Sequence, residues 1–270
     1  MKGLGIAYNG WVTTFIRKTV AVFCCLALAA CCAGGCRGQE VEPTYVSPYD
    51  WKRLAYEDGR FSYTKEGVPA SRIGIDVSDH QGIIDWEMVE ADGIDFAMIR
   101  LGYRGFTEGN IYLDEQYEAN LKEARSAGIL VGVYFFSQAI NEKEAREEAD
   151  FVIKNLEGVK LDYPIVYDHE PVTDAQGRAN KLSNRQLTRN AQAFCERIQE
   201  AGYTPMIYGN NADISRLDLK ALGTYEFWFA EYDTSKPSGQ FDFTMWQYTN
   251  NGSVAGIDTR VDMNIHFLAP

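Results

Sequence analysis

Residues 163–172 read YPIVYDHEPV, Tyr163 through Val172. The stretch opens as a buried strand should, with Pro164, Ile165, Val166 and Tyr167. It then sets Asp168, His169 and Glu170 on the end of that apolar run, and Pro171 follows. Side chains on a strand alternate with a period of two, so Asp168 and Glu170 share one face, with Cβ atoms roughly 6–7 Å apart. His169 faces the other way and is expected to pack behind them as a buried neutral histidine. Two carboxylates that close disfavour joint ionisation, so one pKa should rise. A raised carboxyl beside an ionised one is what acid catalysis at a glycosidic bond requires. Asp-x-Glu alone would equally suit a structural cation or the capping of backbone amides, so its meaning depends on what the rest of the chain brings to the same place.

On either side of this strand, apolar runs recur at 72–77, 96–101, 130–136, 164–167 and 205–208, separated by helical patterns. The segment 114–127 is amphipathic and stops at Gly128, a suitable C-terminal glycine. Asn141 with Glu144, and Ser183 with Gln186, form capping-box pairs for helices running to about Leu156 and to just before Gly202. Strands alternating with helices predict parallel pairing through crossover helices. After residue 223, the runs at 226–232, 243–248 and 260–264 have no long helical pattern between them. Five strands with helices and three without make eight, the number that closes a barrel filled by its own side chains. The expected fold is α/β, a TIM-like (β/α) barrel with five β/α units and three closing strands with reduced helices. An open doubly wound sheet is the competing topology, and the lack of Gly-x-Gly-x-x-Gly after the first strand counts against it.

In such barrels the site lies at the C-terminal ends of the strands. The first strand ends in Gly74-Ile75-Asp76-Val77-Ser78, the fourth in Asp168-His169-Glu170, and the eighth carries Val261-Asp262-Met263-Asn264. Three strands thus bring four carboxylates, Asp76, Asp168, Glu170 and Asp262, towards one mouth. Tyr103, Tyr134, Tyr208, Trp228, Tyr232, Trp246 and Tyr248 fall at or near the same ends. Aromatic rings stack on apolar sugar faces, and amides read hydroxyl and acetamido groups. Tyr134, Tyr208, Trp228, Tyr232 and Gln247 are the candidate substrate-binding residues.

The first 30 residues read as a targeting segment, with Lys2, Arg17 and Lys18, no acid, and an apolar run from Val20 to Ala30 too short for a membrane span. Five of the six cysteines lie in the first 36 residues. Leu28-Ala29-Ala30-Cys31 resembles the bacterial lipobox and predicts lipidation at Cys31, membrane anchoring and a cell-envelope location. Ala33-Gly34-Gly35-Cys36 is a weaker second match, and an ordinary cleaved signal is the alternative. Residues 31–48 read as a polar, Pro-containing tether. Residues 49–71 carry Trp51, Leu54, Tyr56, Phe61, Tyr63 and an Asp58-Gly59 turn signal, so a helical turn and small hairpin packed on the barrel of residues 72–270 are expected. Cys195 falls in a helical pattern with Leu187, Ala191, Phe194 and Ile198 as core filling. Removing the signal's three positive charges takes the net charge from −12 to −15, which makes a poor nucleic-acid binder. His80, His169 and His266 are the only histidines, and none are spaced i, i+4, so no metal and no cofactor are expected. The chain is expected to act as a monomer.

Gly74-Ile75-Asp76-Val77-Ser78 with Gln81-Gly82 and Ile84-Asp85-Trp86, then 163–170, Phe227-Trp228-Phe229-Ala230-Glu231-Tyr232, Met245-Trp246-Gln247-Tyr248 and Val261-Asp262-Met263-Asn264 resemble, in this order, the motifs of glycoside hydrolase family 25, the Chalaropsis-type lysozymes. The resemblance covers roughly residues 73 to 267. It implies an N-acetylmuramidase acting on peptidoglycan glycan strands, with Glu170 as general acid and Asp168 stabilising the substrate's 2-acetamido group in neighbouring-group participation. It also implies that Asp76 and Asp262 line the −1 subsite. The lipobox, the 49–71 extension and His169 depart from the family's pattern. A chitinase-like endo-hexosaminidase is one alternative; such enzymes carry Asp-x-x-Asp-x-Asp-x-Glu, and here Val166 and Tyr163 replace two of those acids. A non-catalytic, lipid-anchored glycan-binding protein is another, whose signature would be a lost acid.

Overall fold

A 3-10 turn at Trp51–Arg53 leads into an antiparallel three-stranded sheet of β1 (Leu54–Glu57), β2 (Arg60–Lys65) and β3 (Val68–Pro69). The expected hairpin is present, turning at Asp58-Gly59, with the third strand added. The computed structural model describes residues 45–268. The signal segment 1–30, Cys31 and the tether up to residue 44 lie outside the described residues.

The main sheet follows as β4 (Ser71–Val77), α1 (Trp86–Ala91), β5 (Phe96–Arg104), β6 (Ile111–Leu113), α2 (Tyr117–Ser126), β7 (Leu130–Phe136), α3 (Glu142–Leu156), β8 (Ile165–Asp168) and α4 (Asn184–Glu200). It ends with β9 (Pro205–Asn210), the single-turn α5 (Asn211–Ile214) and α6 (Leu219–Leu222), β10 (Glu226–Ala230), β11 (Met245–Gly252) and β12 (Val261–Phe267). Local sequence explains the long helices. The Asn141 side chain accepts from the Glu144 amide, and α3 buries Ala145, Ala149, Val152 and Leu156 at helical spacing. Ser183 caps α4 in the same way, which buries Leu187, Ala191, Phe194, Cys195 and Ile198.

Strands β4, β5, β7, β8, β9, β10 and β11 pair in parallel, and β12 returns antiparallel between β11 and β4. The ring therefore closes as an eight-stranded barrel, with β6 added antiparallel on β5. Two points go beyond the sequence reading. The last strand runs against the other seven, because the short β11–β12 connection is a hairpin return and leaves no room for a crossover. Strand β6 is three residues long, too short to show an alternating pattern.

Alternation then sorts side chains into two layers. Inside the barrel lie Phe96, Met98, Tyr163, Val166, Met206, Tyr208, Trp228 and Met245. The closed end is filled by Phe96 stacked on Tyr163 at 4.4 Å, with His266 accepting or donating at the Tyr163 hydroxyl at 2.9 Å. Two strand glycines make room: a Cβ on Gly74 would lie 2.3 Å from the Phe96 ring, and one on Gly132 would lie 2.6 Å from Tyr163 Cβ. Outside, the helices cover β5 to β9. The face lacking long helices is covered by the N-terminal extension, where Phe61 packs 4.7 Å from Trp246 and 5.0 Å from Tyr248, and Tyr49 packs 4.6 Å from Phe267. Trp246 and Tyr248 thus belong to the outer core and not to the mouth, because they alternate with the inward-facing Met245 and Gln247.

Replacing Gly74 by Ala should overpack the barrel floor and destabilise the domain by about 1–3 kcal/mol. Urea titration checks this, with a lowered midpoint and an unchanged m value expected.

Candidate active site

The mouth of the barrel is built from one inward-facing layer. Asp76 of β4, Arg100 of β5, Tyr134 of β7, Asp168 of β8, Tyr208 of β9, Gln247 of β11 and Asp262 of β12 are brought together there, and Glu170 follows two residues beyond Asp168. Register places them: Asp262 stands opposite Asp76, Tyr134 opposite Arg100, Asp168 opposite Tyr208, and Gln247 opposite Asn264. Asp262 reaches the mouth at the start of its strand, because β12 runs antiparallel.

A hydrogen-bonded chain fixes this layer. Gln247 Nε2 donates to Asp76 at 2.8 Å and to Asp262 at 3.3 Å. Its Oε1 accepts from the hydroxyls of Tyr208 at 2.8 Å and Tyr232 at 2.6 Å. Asn264 Nδ2 donates to the same Asp76 oxygen at 2.8 Å, and Trp228 Nε1 donates to Asn264 at 2.8 Å. Gln247 is thus a hub with its amide orientation set by four partners. Trp228, 2% exposed and edge-on to Tyr208 at 4.8 Å, forms the floor beneath the acids. Its role visible in the structure is to hold Asn264, whereas Tyr134 and Tyr232 are partly open to the mouth.

Segment 168–170 is splinted from behind by the end of β7. The Ser137 amide donates to the Asp168 carbonyl at 2.7 Å, His169 Nδ1 donates to the Ser137 carbonyl at 3.1 Å, and Gln138 Nε2 donates to the Glu170 carbonyl at 2.9 Å. Ser137 Oγ in turn donates to Glu148 at 2.6 Å, and Glu148 pairs with Arg104 at 2.7 Å in the core. His169 therefore faces away from the acids, and burial pushes its pKa down to about 4, so it is neutral.

Electrostatics follow from the crowding. Burial pushes the Glu170 carboxyl up to about 7, helped by Asp213 and Asp262. Asp168 is raised well above its ordinary value by burial and then by Glu170, and one of its oxygens, Oδ1, is buried with no hydrogen-bond partner among the described residues. Asp76 is raised by burial and by Asp262, partly offset by the two amides, and Asp262 is raised by burial. Asp262 stands directly opposite Asp76, so its charge disfavours ionisation of Asp76.

Three side chains of the site were not singled out from sequence. Asn264 stands two residues after Asp262, so alternation alone would have found it. Arg100 interrupts a buried apolar run and pairs with Asp79 at 2.6 Å and Asp114 at 2.7 Å, a signal that was present. Asp213 sits on the one-turn α5 capped by Asn210, where no periodicity marks it. Among the described residues, no group of three His, Cys, Asp or Glu side chains is arranged to hold a metal ion.

A closed barrel whose strand ends gather desolvated carboxylates is a site of the glycosidase kind. The model of glycosyl hydrolases family 25 matches residues 75–257, and the chain belongs to that family. It is 32% identical over 205 residues to lysozyme M1 of Streptomyces globisporus, over 71% of this chain and 66% of that protein. The bacterial lysozyme of Streptomyces coelicolor superposes with a TM-score of 0.60 at 29% identity, over 72% of this chain and 90% of that one. The modular autolysin LytC of Streptococcus pneumoniae, solved with a synthetic peptidoglycan ligand, superposes with a TM-score of 0.67 at 25% identity, over 78% and 51%. The chain spans about half to two thirds of the length of lysozyme M1 and LytC.

A carboxyl whose folded pKa lies above its unfolded value favours the folded state below the unfolded pKa, and that contribution is lost as pH rises through the folded value. For Glu170 the window is 4.5 to about 7. Glu170→Gln should therefore be more stable than wild type at pH 8, by on the order of 1 kcal/mol or about 2–4 °C in Tm. The difference should vanish near pH 4, as read by thermal unfolding at both pH values.

Proposed function

We propose that this protein is an N-acetylmuramidase that hydrolyses the β-1,4 bond between N-acetylmuramic acid and N-acetylglucosamine in peptidoglycan. The observation that carries it is the close, desolvated pair of carboxyls at the end of β8: Glu170, raised to about 7, and Asp168, raised by burial and by Glu170. Family membership and the likeness to lysozymes support the same substrate class.

In this reading Glu170, with a carboxyl raised to about 7, keeps its proton in about half of the molecules at pH 7 and gives it to the glycosidic oxygen as the bond to C1 breaks. Positive charge develops at C1, and the carbonyl oxygen of the substrate's 2-acetamido group closes on it. The acetamido N–H then donates to the Asp168 carboxylate at the end of β8, which stabilises the cyclic cation. Water opens that ring as the Glu170 carboxylate takes a proton from it, which restores the acid. Two displacements at C1 retain the β configuration. Asp76 and Asp262, held by Gln247 and Asn264, line the position of the reacting sugar, and Tyr134 and Tyr232 supply ring faces.

We also infer that Cys31 is lipidated and anchors the domain in the cell envelope, from Leu28-Ala29-Ala30-Cys31 and the apolar run before it. Cys31→Ala should move the protein from the membrane fraction to the soluble fraction on cell fractionation.

Purified peptidoglycan should gain reduced muramic acid ends after digestion and borohydride treatment, read by mass spectrometry. Glu170→Gln should lower that rate by about 10²–10⁴-fold. Near-wild-type lysis by the variant would remove Glu170 from the chemistry, and reduced glucosamine ends would reassign the bond cleaved. The rate should fall on the alkaline side of pH 7, as Glu170 loses its proton.

A further inference from the structure

Residues 49–71 lie outside the family match, which begins at residue 75. Their hairpin does more than cover the helix-free face. The face of β1–β2 that packs on the barrel carries Leu54, Tyr56, Phe61 and Tyr63, with Leu54 opposite Tyr63 and Tyr56 opposite Phe61. Tyr63 packs near the closed end, against Phe267 at 5.5 Å, and Phe61 packs further up, against Trp246 and Tyr248. Tyr56, next to the turn, extends past this contact. Its ring sits tilted against Phe61 at 4.6 Å, and the residue is left 59% exposed.

Between this overhang and the rim of the barrel is a groove of about 450 Å³, lined by Leu54, Tyr56, Phe61, Asp233, Tyr248 and Thr249 among others. That volume lies within the roughly 300–1,000 Å³ of small-ligand pockets. It adjoins the mouth through the chain itself. Asp233 follows Tyr232, whose hydroxyl donates to Gln247, and Thr249 stands two residues after Gln247 on β11. The wall of the groove and the wall of the active site are thus two faces of the same strand ends.

We propose that this groove is an accessory glycan subsite that holds an uncharged N-acetylglucosamine unit of the strand, away from the bond being cut. The proposal rests on the peptidoglycan reading above. Tyr56 supplies an open ring face for the sugar's apolar side. Asp233, the single charged residue among those lining the groove, has no hydrogen bond or ion pair among the described residues and is free to accept from hydroxyls. Arg60, whose charge is felt by the groove-lining Tyr248, does not itself line the groove and is already paired with Asp92. A groove lined by one carboxylate and no cation disfavours the carboxylates of muramic acid, carried on the free lactyl group or on the stem peptide that replaces it as an amide, so the neutral sugar is the one that fits.

The test uses Tyr56→Ala and Asp233→Ala in the otherwise complete protein, with un-cross-linked glycan strands of defined length. On long strands each variant should raise KM by up to about ten-fold with kcat unchanged. On a tetrasaccharide that fills only the mouth, turnover should match wild type. Equal losses on both substrates, or no loss on either, would overturn the proposal. A second arm needs no catalysis: titration calorimetry of long strands with Glu170→Gln, alone and combined with Tyr56→Ala. Weaker binding of the double variant supports the groove even if wild type proves inactive, and equal binding refutes it whatever the enzyme does. Tyr56 is largely in solvent, so thermal unfolding of the variant should match wild type.

Discussion

The pairing of β12 with β4 is the contact on which the rest of the molecule depends. It closes the ring of strands, and a closed ring of eight has an interior that side chains must fill completely. Phe96, Tyr163 and Met98 fill the closed end, at the cost of glycine at positions 74 and 132. The open end is filled by acids and amides instead. Because β12 runs antiparallel, the same pairing sets Asp262 directly opposite Asp76, and the two carboxyls lose their water together.

Desolvation is the property the site shares, and the surrounding structure is organised to bear it. Gln247 and Asn264 each direct an amide at Asp76, so that acid is buried with partners. Asp168 lacks a partner on one buried oxygen, which is an unfavourable arrangement for folding. Its backbone is held regardless, because Ser137 and Gln138 grip residues 168 to 170 by three hydrogen bonds. The buried Arg104–Glu148 pair anchors Ser137. A core ion pair thus acts through one serine on the position of the acids, without touching them.

The N-terminal extension answers a different problem. Strands β10 to β12 have no long helices to cover their outer faces, so Trp246, Tyr248, Phe243 and Phe267 would lie bare. Tyr49, Trp51, Phe61 and Tyr63 cover them in a ring-on-ring contact.

Sequence alone determined the elements and the acids. Periodicity gave the strands and the capped helices, and alternation on 163–170 put Asp168 and Glu170 on one face with His169 behind. Motif order pointed to the family. These are local properties, written in neighbours two to four residues apart. Tertiary structure decided what depends on residues distant in the chain. It set the antiparallel direction of β12, which no local pattern encodes. It sent Trp246 and Tyr248 to the outer core and Trp228 to the floor, because which face of a strand is inside depends on where the barrel closes. It brought Asp213 and Arg100 to the mouth. It also set the charge state of the acids, since a carboxyl's pKa follows the water it loses and the charges around it, and both are fixed only when the chain has folded.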